Sequence, residues 1–130
     1  MDDIIITGSS DQLVQQVVTN MQNAFALKDL GKLNYFLGIE ITKTAAEMYL
    51  SQSKYIADLL AKHNMADCSP VPTPMSTGHY LTKGPGNVIS NVSQYISAVG
   101  ALQYVTLTRP EIAFSVNKLS QFLVLPTAEH

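Results

Sequence analysis

Between Asp67 and Asn91 the chain carries Pro70, Pro72, Pro74 and Pro85, together with Gly78, Gly84 and Gly86. Prolines at alternate positions hold the backbone extended and withdraw N–H donors, while glycines raise the entropic cost of ordering. The stretch reads as a linker, through which neither a long helix nor a central strand can run. Strand patterns, one long helix and one shorter helix lie before it, and only helical patterns follow. That order points to an α+β chain, built as one domain or as two small pieces. Hydrophobic residues make up 46% of the 130, enough for a core. Charged residues make up 14%, against about 25% in an ordinary soluble domain.

The periodicities set the expected elements. Ile4-Ile5-Ile6 is β-branched and uninterrupted, the pattern of a strand buried on both faces, and Gly8-Ser9-Ser10 closes it. Ser9 and Gln12 have capping-box spacing. Val14, Val17, Val18, Met21 and Phe25 recur at helical spacing, so a helix is expected from Asp11 to Phe25. Lys28-Asp29-Leu30-Gly31 reads as a turn. Leu33, Tyr35, Leu37, Ile39 and Ile41 alternate with their neighbours at the period of a strand, and Met48-Tyr49-Leu50 is its expected hairpin partner. From Ser51 the pattern turns helical, with Ile56, Leu59, Leu60 and His63 on one face. After the linker, Ser93 to Leu107 carries Tyr95, Val99, Leu102 and Thr106 on one face. Thr108 and Glu111 again have capping-box spacing, with Pro110 in the first turn, and Ile112, Val116, Leu119 and Leu123 line the final helix.

Several functions are disfavoured by composition. The formal net charge is -2, where a strong electrostatic binder of nucleic acid shows a basic surplus. Weak or no nucleic-acid binding is the expectation. Cys68 is the only cysteine, so no intramolecular disulfide forms. His63 and His79 have no zinc-ligand spacing with Cys68. No apolar run approaches a membrane span, and the N-terminus has no signal-peptide pattern, so an intracellular chain with no membrane partner is expected.

Three segments, in order, carry a resemblance. They are Asp2-Asp3-Ile4-Ile5-Ile6-Thr7-Gly8; then Phe25 to Gly31 with Tyr35-Phe36-Leu37-Gly38-Ile39-Glu40-Ile41; then Val99-Gly100-Ala101-Leu102-Gln103-Tyr104 with Thr108 to Ala113. Leu50 to Ile56 and Thr73-Pro74-Met75 fit the same pattern. Together they resemble the reverse transcriptase of copia-type retrotransposons over nearly the whole chain.

The resemblance implies a partial polymerase palm over 1–50, strands plus one helix, followed by a small helical thumb over 51–130 that includes the linker 67–91. Asp2 and Asp3 resemble the end of the Tyr-x-Asp-Asp motif, where the parent enzyme holds catalytic Mg2+. Lys28 lies in the segment that resembles polymerase motif D, near the incoming nucleotide. Tyr35, Phe36, Leu37 and Gly38 begin the segment that resembles the primer grip, a hairpin. Gly100, Gln103 and Tyr104 resemble the thumb face that lies along the minor groove of the RNA/DNA template–primer. Ile96 stands where the family usually has Arg.

A two-metal site needs carboxylates that bridge the ions. In this polymerase class one comes from an earlier strand, which this sequence does not contain. Asp2 and Asp3 alone make an incomplete site, because magnesium demands near-ideal octahedral geometry. The chain is therefore expected to be a truncated RNA-directed DNA polymerase, inactive alone and without Mg2+. A non-catalytic module binding nucleic acid or protein, or a relic without function, are the rival readings. Each site residue also has a plainer reading. Tyr35 to Leu37 fill a strand core, Lys28 is a solvated turn residue, Gly100 permits close helix packing, and Tyr104 is a core aromatic. The Ile4–Ile6 strand, left with an unpaired edge, is expected to drive self-association.

Overall fold

The computed structural model describes residues 3–75, 81–82 and 86–130. It falls into two compact units, Met1–Ser51 and Gln52–His130. Helices and an antiparallel sheet are both present, so the expected α+β class is correct.

In the first unit, helix α1 spans Asp11–Ala24. Ser10 caps it, accepting the Leu13 N–H at 3.5 Å, with Asp11 placed in the first turn where the helix dipole favours an anion. The cap is Ser10 and not Ser9, one residue later than the capping-box spacing indicates. Ile4–Ile6 is not a strand, and Ile4 and Ile5 are 59% and 46% exposed. An apolar run becomes a strand only by pairing, and no strand lies beside it among the described residues.

The segment 33–41 is not one strand either. β1 (Tyr35–Phe36) turns at Leu37 and Gly38 into β2 (Ile39–Lys43), which pairs with β3 (Met48–Ser51) in the antiparallel order β1-β2-β3. Leu37 has φ 48° and Gly38 φ 86°, the two positive values of a type I′ hairpin turn. Leucine at positive φ costs on the order of 1–3 kcal/mol and is invisible to an alternation pattern. A hairpin does stand at Tyr35–Ile41, with Phe36 opposite Ile39, and the return strand Met48–Leu50 is where the periodicity put it. Cross-strand register gathers Phe36, Ile39, Ile41, Met48 and Leu50, with Lys43 opposite Met48, on one face of the sheet, and Tyr35, Glu40, Thr42, Tyr49 and Ser51 on the other. No described residue of this unit is fully buried.

The second unit holds the buried core. Helix α2 (Ser53–Lys62) ends with Asn64 at φ 57°, and Met65 N–H reaches Leu60 C=O while Asn64 N–H reaches Ala61 C=O. This left-handed cap satisfies the last carbonyls of the helix. Helix α3 (Val92–Val105) is capped by Asn91, whose side chain accepts the Gln94 N–H at 3.0 Å. A 3-10 turn at Pro110–Ile112 leads into α4 (Ala113–Ser120). Val99 and Val105 of α3, Val116 of α4 and the following Phe122 are buried. Tyr95 ties the two helices by donating its hydroxyl to the Leu119 carbonyl at 3.0 Å, and burial pushes its phenol pKa up.

Two expectations fail here. Thr108 does not cap the helix that follows; its hydroxyl donates to Gln52 Oε1 at 2.8 Å. The final helix stops at Ser120, so Leu123 lies beyond it and Phe122 takes the buried place.

The linker reading also needs correction at its C-terminal end. Val88 forms an antiparallel bridge with Thr127, Ile89 N–H donates to Pro126 C=O at 3.1 Å, and Ala128 N–H to Asn87 C=O at 3.3 Å. Nearer its start, Ser115 donates its hydroxyl to the Pro74 carbonyl at 3.0 Å. Neither end of the stretch is a free tether. Residues 76–80 and 83–85, with His79 and Lys83, lie outside the described residues.

Candidate nucleic-acid interface

Asp2 lies outside the described residues, and Asp3 is exposed. Among the described residues no three or more His, Cys, Asp or Glu side chains stand together as a metal site. No step of metal chemistry is assigned to these residues.

Lys28 sits in the exposed connection after α1. Asp29 shapes that connection by accepting the Gly31 N–H at 2.7 Å, and Gly31 takes φ 76°, which glycine reaches without steric penalty. Tyr35 and Leu37 are exposed at the β1–β2 hairpin, while Phe36 and Gly38 are half-buried. Tyr35 therefore offers its ring to solvent, and the plain core reading fits only Phe36 of the three hairpin side chains. Glu40 accepts the Ser51 hydroxyl at 3.2 Å on the tyrosine face of the sheet.

On α3, Gly100, Gln103 and Tyr104 share one face, as positions i, i+3 and i+4 must. Gly100 is exposed, and a Cβ built on it meets no atom within 4 Å. Among the described residues, nothing packs against the position of that Cβ. Gln103 Nε2 donates to Ser120 Oγ at 3.0 Å, and Ser120 passes its own proton to the Val116 carbonyl at 2.8 Å. Tyr104 is half-buried, its ring edge-on to Tyr55 with centroids 5.3 Å apart and planes at 81°. The side chains that flank Gly100 are therefore held by α2 and α4. Helix α3 contains no charged residue, and Ile96 is exposed on the same side. Any ligand on this face meets shape and apolar surface, with no phosphate-binding cation from the helix itself.

A short ion pair joins Arg109 to Glu111 beyond the end of α3. Hydrogen bonding to the backbone, then to Arg109, holds the Glu111 carboxyl below its usual range.

The first 77 residues match the family model described as reverse transcriptase (RNA-dependent DNA polymerase). The chain belongs to that family. It is 43% identical over 130 residues to the retrovirus-related Pol polyprotein from transposon RE1 of Arabidopsis thaliana, covering all of this chain and 9% of that protein. It is 40% identical to the Pol polyprotein from transposon RE2 of the same plant, with the same two coverages. The Pol polyprotein from transposon TNT 1-94 of Nicotiana tabacum is 37% identical, covering all of this chain and 10% of that protein. These are copia-type elements, and the chain resembles their polyproteins over its whole length. The chain spans about a tenth of the length of the polyproteins it matches. No solved structure matches it.

Gln52 had no role in the sequence reading, yet it is 1% exposed and the most enclosed polar side chain described. Its Oε1 serves Thr108, and its Nε2 is buried without a partner among the described residues. Phe122 and His130 stack with centroids 3.9 Å apart, and His130 Nδ1 accepts the Thr127 N–H at 2.9 Å. Both arrangements pair residues whose contact no local pattern announces.

Proposed function

We propose that this chain is the later palm and the thumb of a copia-type reverse transcriptase, and that it does not polymerise DNA alone. In this reading Met1–Ser51 is the palm portion and Gln52–His130 the thumb. The observation that carries it is the absence of any fully buried residue among the described part of the first unit. A unit that keeps an apolar sheet face and an amphipathic helix, yet buries nothing fully, has the character of a part that completes its core against other polypeptide. Asp2 and Asp3 are the carboxylates this portion would contribute to a Mg2+ site whose other members lie elsewhere. Lys28, Tyr35, Phe36, Leu37 and Gly38 contact nucleotide or primer, and Gly100, Gln103 and Tyr104 face the minor groove of the duplex.

The open surface at Gly100 supports that last assignment, and it supports as a second reading a binding module without catalysis. On either reading the uncharged α3 face contributes little counterion release. The test is titration of a labelled RNA–DNA hybrid at low and high salt. Weak binding with a shallow salt slope agrees with the proposal. Tight binding that collapses with salt would contradict it.

A further inference from the structure

In the second unit, residues 86–89 run antiparallel to 126–128 as a short clasp. Val88 bridges to Thr127, Ile89 N–H donates to Pro126 C=O at 3.1 Å, and Ala128 N–H to Asn87 C=O at 3.3 Å. The two backbones approach so closely that a Cβ added to Gly86 would stand 2.9 Å from Thr127 Cγ2. These bonds use the neighbours of Thr127, so its own N–H and C=O turn away from residues 86–89. His130 takes both. Its backbone N–H donates to the Thr127 C=O at 3.0 Å, and its Nδ1 accepts the Thr127 N–H at 2.9 Å. The spacing is that of a capping box, in which the later side chain reaches back to the N–H of the earlier residue. Stacking on the buried Phe122, with planes at 22°, holds the imidazole in place. Thr127 is 7% exposed, so losing that acceptor leaves an enclosed donor unsatisfied.

An imidazole nitrogen accepts an N–H only while it carries no proton of its own. The Thr127 bond therefore requires neutral His130 with its proton on Nε2. A proton added at Nδ1 turns the acceptor into a donor and sets two N–H groups against each other. Thr127 Oγ1, 3.3 Å from Nδ1, can accept the new N–H, but the Thr127 N–H is then left bare. The surroundings bring little charge to bear. Residues 86–89 and 121–128 have no charged side chain. Glu129 is exposed, Lys118 lies on α4 before Phe122, and among the described residues His130 makes no ion pair. We propose that His130 is a proton-sensitive latch on this clasp. Neutral, it holds 126–128 against 86–89; protonated, it lets them part. The latch is closed above the histidine range and opens as pH falls through it. Its opening loosens the end of the proline- and glycine-rich stretch, just before the Asn91 cap of α3.

The test uses the 130-residue chain, in which the backbone carboxylate of His130 is one further anion, the same in every variant. Amide protection at Ile89 and Ala128, corrected for intrinsic exchange, is followed by NMR beside the titration of the His130 ring. Between about pH 8 and about pH 5 protection at both should fall roughly 2- to 10-fold, the worth of one hydrogen bond, with the midpoint of the ring. Val99 and Val116 should stay protected throughout. His130→Gln keeps an acceptor within reach of the Thr127 N–H and does not titrate, so its protection should not change with pH. His130→Phe keeps a ring to stack but has no acceptor, so its clasp should be weakly protected at every pH. His63 and His79 are unchanged in both variants. Constant protection in the wild type, a pH-dependent loss that persists in His130→Gln, or full protection in His130→Phe would overturn the proposal.

Discussion

Thr108 gives its hydroxyl proton to Gln52 Oε1 at 2.8 Å, joining the end of α3 to the start of α2 across 56 residues of sequence. Gln52 is also the residue whose C=O accepts the Ile56 N–H in the first turn of α2. Thr108→Val should destabilise the chain by about 1–3 kcal/mol, because it strands a buried carbonyl oxygen. Gln52→Leu combined with Thr108→Val should recover most of that loss, since replacing both partners by apolar groups is close to neutral. Urea denaturation of the single and double variants measures both. A double variant as unstable as the sum of the singles would show that the pair is not coupled.

The aromatic after α4 matters more than the last residues of the helix. Phe122 is buried and stacks on His130, while Leu119 is only half-buried. Phe122→Ala should cost about 3–5 kcal/mol, and Leu119→Ala clearly less. Equal losses in thermal or urea unfolding would misplace the core of the second unit.

Gly100→Ala should raise stability by about 0.5–1 kcal/mol, the usual gain for filling a helix interior where space is open. The same variant should weaken hybrid binding by a polymerase that contains this segment. Stabilisation without any change in binding would leave Gly100 with no role on that face.

Glu111 sets a pH dependence of known sign. Its carboxyl is held below the usual range in the folded chain, chiefly by backbone hydrogen bonding and then by Arg109. The folded state therefore favours the ionised form. That stabilisation is complete above the ordinary carboxylate pKa and is lost as pH falls through the lowered one. Glu111→Gln should flatten the acid limb of the stability curve slightly. The pair is exposed, so the effect is small. An acid limb that steepens in the variant would reverse the assignment.

The helices were legible because each rests on a local period. Val14, Val18 and Met21 mark the inner side of α1, Ile56, Leu59 and Leu60 that of α2, and Tyr95, Val99 and Leu102 that of α3. What was not legible depends on partners distant in sequence or on unusual backbone. Leu37 breaks an apparently continuous strand because the chain reverses at positive φ. Ile4–Ile6 has the residues of a strand but no neighbour to pair with among those described. Thr108 has the spacing of a cap, yet its hydroxyl is engaged by Gln52. The bridge from Val88 to Thr127 lies in a stretch whose prolines and glycines argue against regular structure. The family was readable because its motifs are short, ordered and local. Their roles were not, because roles depend on the surfaces the motifs meet.

Primer extension decides whether this segment polymerises DNA by itself. The purified chain, given an RNA template, an annealed DNA primer, deoxynucleotides and Mg2+ or Mn2+, should leave the primer unextended. Template-dependent extension that disappears when Asp2→Asn and Asp3→Asn are introduced together would contradict the account.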